Sequence, residues 1–269
     1  MTHNFRSDLG KVIIFWISIV VFDNYFSIYV MEVLHIKTSY LTLEIYFKLF
    51  EMLFAVVLNI ILIHEKVRWK INLGRNSYVV FFIMFVILFV FSSNHTNNIK
   101  SAFVIGIIAS IPEEYIFRNI ITGKLMVSAI PVKNIKSVLL RIAIASSLFS
   151  LYYLGNAGSD GISSTLLQMI QVIGLGFFLG CLFVRKGSVL FPIAMHFFID
   201  YLATIINGIG TPVATHLTFS NLLTSFFIMC VYIILGITIL DVNNPGNWEL
   251  LKKSNSRKPK LYSAKKQNN

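Results

Sequence analysis

Long apolar segments are the feature of this chain that most restricts its fold. Eight of them cover residues 11–31, 41–63, 77–93, 101–122, 137–154, 164–184, 188–207 and 217–240. A hydrocarbon layer of about 30 Å requires roughly 20 apolar residues of α-helix, so each segment is long enough to cross it. Hydrophobic residues make up 56% of the chain and charged residues 13%, which excludes an ordinary soluble domain. The sequence therefore predicts an all-α, polytopic membrane protein with about eight transmembrane helices.

The chain divides into a membrane domain and a polar tail. We expect the transmembrane domain to cover residues 1–242 and a basic cytoplasmic tail to cover residues 243–269. The tail lacks the apolar periodicity of a packed helix and is rich in lysine and asparagine. It is therefore predicted to be disordered.

Basic residues predict the orientation of the membrane domain. Lysine and arginine are retained in cytoplasmic loops, and most of the 23 basic residues lie on one side if both termini are cytoplasmic. Only Lys37 and Lys100 then fall in loops on the other side. We expect a multi-pass protein of the cell membrane with both termini in the cytoplasm. Because the net charge of +11 is spread over loops and a tail, it indicates attraction to membrane lipids and no nucleic-acid partner.

Charged residues inside apolar segments are costly, so each is a candidate functional group. The second segment carries Glu44, Lys48 and Glu51, whose spacings of four and three place them on one helical face. For these three we favour a structural pairing of the charges with one another. Asp23 and Asn24 in the first segment are not assigned a role.

The fourth segment contains the stretch ASIPEEYIFRNI, which combines three charges with a proline. Glu114 and Arg118 are four residues apart and can form an ion pair on one helical face. Glu113 points about 100° away from that face, so its carboxylate is left for a partner on another helix. Pro112 lacks an amide proton and disturbs the preceding turn. Together these features indicate a polar cavity beside Glu113.

The seventh segment contains LFPIAMHFFIDYLA, which holds the single histidine that lies deep in a predicted span. His196 and Asp200 are four residues apart, so both project from one face of the helix. A satisfied structural pair and a reactive pair are equally consistent with this spacing alone.

The two motifs together resemble those of the CPBP family, which comprises CAAX proteases and bacteriocin-processing or bacteriocin-immunity membrane proteins. The pattern of the family is EExxxR, then FxxxH, then HxxxN or HxxxD, and here it extends over about residues 101–207. The first and third motifs match residue by residue. In SSLFSLYYLGN, Phe149 aligns with the phenylalanine of the middle motif, and Tyr153 stands where the family has histidine. The resemblance implies a CAAX-protease-like helical bundle in the cell membrane of a bacterium.

The resemblance also implies an intramembrane glutamic endopeptidase. Glu113 would be the general base that takes a proton from water, and Glu114, held by Arg118, would assist it. His196, oriented by Asp200, would polarise the scissile carbonyl and stabilise the oxyanion.

Tyr153 leaves a second hypothesis open. A tyrosine hydroxyl can position a water molecule but is a poor base, and loss of an acid–base partner typically costs on the order of a hundredfold or more in rate. The alternative to a working protease is thus a catalytically impaired relative that acts in bacteriocin immunity or binds a membrane partner as a regulator. A proton-coupled transporter is a third and less favoured hypothesis.

The expected partners are membrane lipids and a peptide or lipid-anchored protein substrate, and no cofactor is expected. Zinc bound by Glu113, Glu114, His196 and Asp200 is disfavoured, because catalytic zinc generally has more than one histidine or cysteine ligand. The chain has neither the HExxH motif of a metalloprotease nor a GxSG motif of the rhomboid kind.

Overall fold

Eight long helices build the protein, as seen in a computed structural model that describes residues 5–26, 29, 33, 39–70, 74–127, 135–209 and 216–255. No β-strand occurs among these residues, so the prediction of an all-α fold is confirmed. The long helices are α1 (Phe5–Val21), α2 (Tyr40–Leu58), α3 (Arg75–Asn94), α4 (Ile99–Glu114), α5 (Ile135–Tyr152), α6 (Ile162–Lys186), α7 (Leu190–Asn207) and α8 (Phe219–Leu240).

Shorter helical segments extend or connect the long helices. Three are π-helical: Phe22–Phe26, Asn59–Ile63 and Tyr115–Thr122. Three are 3₁₀-helical: Thr96–Asn98, Tyr153–Asn156 and Pro245–Asn247. Three are short α-helices: Gly123–Val127, Ala157–Asp160 and Glu249–Asn255.

Seven helices in the described part of the chain are long and apolar enough to cross a membrane, which agrees closely with the eight predicted spans. The exception is α4, which continues into a π-helix and carries Glu113, Glu114 and Arg118 within six residues. The protein is therefore a multi-pass membrane protein. Helix α4 differs from the other long helices because it carries two adjacent buried glutamates.

Helix α6 is the most enclosed of the candidate spans, with 67% of its most apolar stretch buried. It packs against α5 on one side and α8 on the other. Gly174 allows the close approach of α8, because a Cβ there would lie 2.7 Å from backbone atoms of Met229. Gly180 similarly faces Ile142 of α5, where a Cβ would lie 2.8 Å from its side chain. Small residues at such crossings let helix backbones approach closely in membranes.

Helices α3 and α8 lie at the periphery of the bundle. Only 11% of the most apolar stretch of each is buried. Large side chains such as Phe82, Phe85 and Phe227 are well over half exposed. Since the protein spans a membrane, these faces are where lipid chains contact it.

The end of α4 changes its winding at the charged motif. Three residues after Pro112 the chain passes into the π-helix Tyr115–Thr122, and all eight of its residues are buried. The Thr122 hydroxyl donates to the Phe117 carbonyl, five residues earlier, at 2.7 Å. A π-helical turn is wider than an α-helical one and redirects the side chains that follow. The helix passes close to α7, since a Cβ at Gly106 would lie 2.7 Å from the Phe197 ring.

The beginning of the polar tail differs from the prediction of disorder from residue 243. Trp248, Leu250 and Leu251 are buried in a cluster with side chains of α5 and α6. The Trp248 indole N–H also donates to the Leu240 carbonyl at 2.8 Å. Three large apolar side chains in four residues supply enough burial to order this short segment, although it has no long periodic pattern. Residues 256–269 lie outside the described part of the chain.

Asp241 stabilises the turn that returns this segment to the bundle. Its carboxylate accepts hydrogen bonds from the side-chain amides of Asn244 at 2.8 Å and Asn247 at 3.1 Å. These amides, and Arg185 at 3.5 Å, hold the pKa of the Asp241 carboxyl below its ordinary value. The turn thus tethers the end of α8 to the end of α6.

Trp248→Ala is expected to detach the segment 245–252. Removal of a buried tryptophan typically costs about 3–5 kcal/mol, so the apparent melting temperature in detergent should fall by several degrees. Trp248→Phe, which mainly loses the hydrogen bond to Leu240, should cost only about 1 kcal/mol. A Trp248→Ala protein that melts like the wild type would contradict the packing described here.

Candidate active site

The residues predicted from the two motifs converge at one place in the bundle. Glu113 and Glu114 come from the end of α4, and Arg118 follows on the π-helix. His196 and Asp200 come from the middle of α7. The 3₁₀-helix after α5 supplies Tyr153. Helix α2 supplies Lys48, which was predicted to take part only in a structural pairing within its own helix.

Glu114 connects the two motifs. Its side chain is fully buried, and its Oε2 lies 3.0 Å from Arg118 Nε, which is the predicted ion pair. Its Oε1 lies 2.8 Å from His196 Nδ1. A carboxylate can only accept, so His196 carries a proton on Nδ1 and its ring orientation is fixed. His196 Nε2 is thereby directed toward Glu113 and Asp200.

Glu113 faces away from Arg118, as its position on the helix predicted, and meets three other elements. Its Oε1 lies 3.0 Å from Lys48 Nζ on α2. Its Oε2 accepts a hydrogen bond from the Tyr153 hydroxyl at 3.0 Å. His196 Nε2 is 3.9 Å from the same Oε2, too far for a direct hydrogen bond.

Asp200 lies at the rim of this group. Its Oδ2 is 3.4 Å from His196 Nε2, and its side chain is 25% exposed while that of His196 is 1% exposed. The imidazole therefore has a carboxylate at each nitrogen. His196 Nε2 makes no hydrogen bond within the described part of the chain, so an N–H at this position could donate to an oxyanion.

Phe149 is the packing centre of the site. It is fully buried, and the Arg118 guanidinium lies over its ring, 4.4 Å from the centroid. Its ring also makes edge contacts with Tyr153 at 5.3 Å and His196 at 6.1 Å. The cation–π contact helps to hold a fully buried arginine in place. One aromatic ring thus fixes side chains from three different elements.

Lys48 is the site residue that the sequence interpretation missed. Of the pairing predicted for α2, the Lys48–Glu51 contact is present, with Lys48 Nζ 2.9 Å from Glu51 Oε2, whereas Glu44 hydrogen-bonds to Tyr40 instead. The same Nζ also reaches Glu113 on α4 and lies 3.3 Å from the Tyr152 hydroxyl. The sequence did offer a signal for this contact. Lys48 lies in one predicted span and Glu113, which has no partner on its own helix, lies in another, and their opposite charges favour a pair between the two helices.

A cavity of about 350 Å³ reaches the site from one end of the bundle. Glu113, Lys48 and Tyr153 form its inner part. The other lining residues are Asp23, Asn24, Tyr40, Glu44, Phe47, Tyr152, Gly155, Asn156, Ser159 and Asp160. Tyr40 and Gly155 are exposed, so the cavity opens at the ends of α2 and α5 that lie away from the basic residues Arg68 and Arg185.

Among the residues that the structure describes, no group of three or more histidine, cysteine, aspartate or glutamate side chains has an arrangement that could hold a metal ion. The two glutamates instead have cationic side chains as direct partners, Lys48 for Glu113 and Arg118 for Glu114.

Comparison with known proteins adds one finding. Residues 95–202 match a family model described as "Type II CAAX prenyl endopeptidase Rce1-like". The matched region contains both motifs and Tyr153, but it does not include Lys48 on α2. No curated protein and no solved structure gives a significant match.

Proposed function

We propose that the protein is an intramembrane endopeptidase whose general base is Glu113. The match of residues 95–202 to the Rce1-like CAAX prenyl endopeptidase model supports this proposal. The observation that carries the proposal is the arrangement at the inner end of the cavity. Glu113 Oε2 lies 3.0 Å from the Tyr153 hydroxyl and 3.9 Å from His196 Nε2. Glu113 and Tyr153 line the cavity, which opens to the surface, and His196 lies directly behind them.

The proposed reaction is hydrolysis of a peptide bond. Glu113 takes one proton from a water molecule while the water oxygen bonds to the carbonyl carbon. The carbonyl oxygen becomes an oxyanion, to which the His196 N–H donates. When the tetrahedral intermediate collapses, the C–N bond breaks and Glu113 passes its proton to the leaving nitrogen. The products are a new carboxylic acid, which then releases its proton to solvent, and a new amine.

The other site residues position these two groups. Glu114 fixes the imidazole from its Nδ1 side, and Arg118 balances the charge of Glu114. Tyr153 orients Glu113 Oε2 and lies where a water molecule would approach. Asp200, whose Oδ2 lies 3.4 Å from Nε2, orients His196 from its other nitrogen. We further propose that the substrate is a membrane-delivered peptide or a lipid-anchored tail.

A catalytically impaired relative is the second candidate, and one observation favours it. Both oxygens of Glu113 have hydrogen-bond donors, Lys48 and Tyr153, and a carboxylate bound on both sides is a weaker acceptor for a water proton. In that case the protein retains the arrangement of the site residues without efficient catalysis, and it binds a membrane partner, as in bacteriocin immunity or regulation.

Peptide cleavage by the purified protein separates the two candidates. The full chain is reconstituted in lipid nanodiscs and mixed with a panel of peptides ending in Cys-aliphatic-aliphatic-X, each with and without an isoprenyl group. New peptide termini are then identified by mass spectrometry. Endoproteolytic products are expected from the wild type. Their absence with a folded, reconstituted protein would contradict the protease proposal and favour the impaired relative.

Tyr153→Phe is expected to lower kcat by about tenfold to a hundredfold, because hydrogen bonds to charged groups contribute about 1.5–3 kcal/mol. Tyr201→Phe is the matched control. The Tyr201 hydroxyl hydrogen-bonds Ser92 at 2.6 Å, outside the site, so its removal should leave kcat unchanged. Tyr153→His, which restores the residue of the family pattern, is expected to raise kcat. Equal kcat values for Tyr153→Phe and wild type would remove Tyr153 from the mechanism.

A further inference from the structure

Lys48 lies at the centre of a hydrogen-bonded group that spans three helical elements. Its ammonium nitrogen is 3.0 Å from Glu113 Oε1, 2.9 Å from Glu51 Oε2 and 3.3 Å from the Tyr152 hydroxyl. An ammonium has three N–H donors, and three acceptors surround this one. The Tyr152 hydroxyl in turn donates to Glu51 Oε1 at 3.0 Å, which closes the network.

We infer that Lys48 is a positioning residue for hydrolysis, keeping Glu113 ionised and aiming its Oε2 at Tyr153 and His196. This inference rests on the proposed function. Lys48 lies on α2, outside the region that matches the family model, so neither motif implies it.

Charge balance supports this role. Glu113 is 4% exposed, and its neighbour Glu114 is a second, fully buried carboxylate. An ionised carboxylate removed from water needs a cation in good geometry, since the desolvation penalty is several kcal/mol. Arg118 is directed to Glu114, so Lys48, which also pairs with the buried Glu51, is the lysine or arginine that contacts Glu113 in the described part of the chain.

Geometry supports it as well. The two oxygens of Glu113 are distinguished by their partners, with Lys48 on Oε1 and Tyr153 on Oε2. Glu51 and Tyr152 hold Lys48 from the opposite side, so the ammonium is fixed before any substrate arrives. A displacement of a reacting group by about 1 Å can cost roughly a hundredfold in rate, so an anchor of this kind matters for kcat.

The first test removes the positive charge of Lys48 but keeps a side chain with N–H hydrogen-bond donors. Lys48→Gln is expected to lower kcat about a hundredfold with little change in KM, whereas Lys48→Arg, which keeps the cation, should retain most of kcat. Lys124→Gln is the matched control, because Lys124 forms a comparably buried pair with Asp8 at 3.3 Å, away from the site. It should lose stability but keep kcat. A Lys48→Gln protein with the kcat of wild type would overturn the inference.

Chemical rescue distinguishes positioning by charge from a structural role. Lys48 lines the cavity, so a small amine can reach its place in Lys48→Ala. Added ethylammonium is expected to restore hydrolysis in a saturable way, and tetramethylammonium, which has no N–H, should not. A folded Lys48→Ala protein that no amine rescues would contradict the inference. Wild-type hydrolysis is measured first, because its absence would contradict the proposed function instead.

Discussion

Glu113→Gln is expected to lower kcat for peptide cleavage by about three to four orders of magnitude, the upper range for loss of a general base. The amide has nearly the same shape as the carboxylate, and its oxygen can still accept from Lys48, so the packing of the site should survive. KM should change little, because the base acts on water rather than on the bound peptide. Initial rates at several peptide concentrations in nanodiscs would separate the two parameters.

The control for this variant is Glu65→Gln. Glu65 is also a shielded glutamate in an ion pair, here with Arg68, but it lies at the opposite end of α2 from the cavity mouth. Its replacement should leave kcat unchanged. Cleavage by Glu113→Gln at the rate of wild type would show that the base is another group, and the protease mechanism at this site would fail.

Arg118→Met is expected to destabilise the protein by about 3–5 kcal/mol, because it leaves Glu114 buried without its cation. The side chains of both partners are at most 1% exposed, so water cannot replace the lost interaction. The stacking of the guanidinium on Phe149 is lost at the same time. The apparent melting temperature in detergent should fall by more than that of any surface variant.

The double variant Arg118→Met and Glu114→Gln tests the cause. If the penalty comes from an unpaired buried charge, removal of both charges should recover a large part of the loss, and a double-mutant cycle would report strong coupling. Additive losses from the two single variants would instead assign the destabilisation to packing around Phe149.

The helices could be read from the sequence because each must match the thickness of a membrane. Apolar length alone located α3, which was predicted at 77–93 and observed at Arg75–Asn94. The segment 101–122 was also located, but not its change from α-helix to π-helix after Glu114. That change depends on how the turn packs against α5 and α6, and the sequence of this one segment does not specify that packing.

The site was predictable where its partners are close in sequence. Glu114 and Arg118 are four residues apart on one helix, so their ion pair follows from helical geometry. The contact of Lys48 with Glu113 joins residues 65 positions apart, and it depends on how α2 packs against α4. Burial of Trp248 was missed for the same reason, since its partners lie on α5, α6 and α8.

The position of the cavity mouth gives the proposed reaction a direction across the membrane. The mouth opens at the end of the bundle away from the basic residues Arg68 and Arg185. If those residues face the cytoplasm, as the distribution of charge predicts, peptides reach Glu113 from the extracytoplasmic side. On that orientation, this cavity would admit chains that have been exported or that are embedded in the outer leaflet, and the membrane would separate its mouth from newly made cytoplasmic proteins.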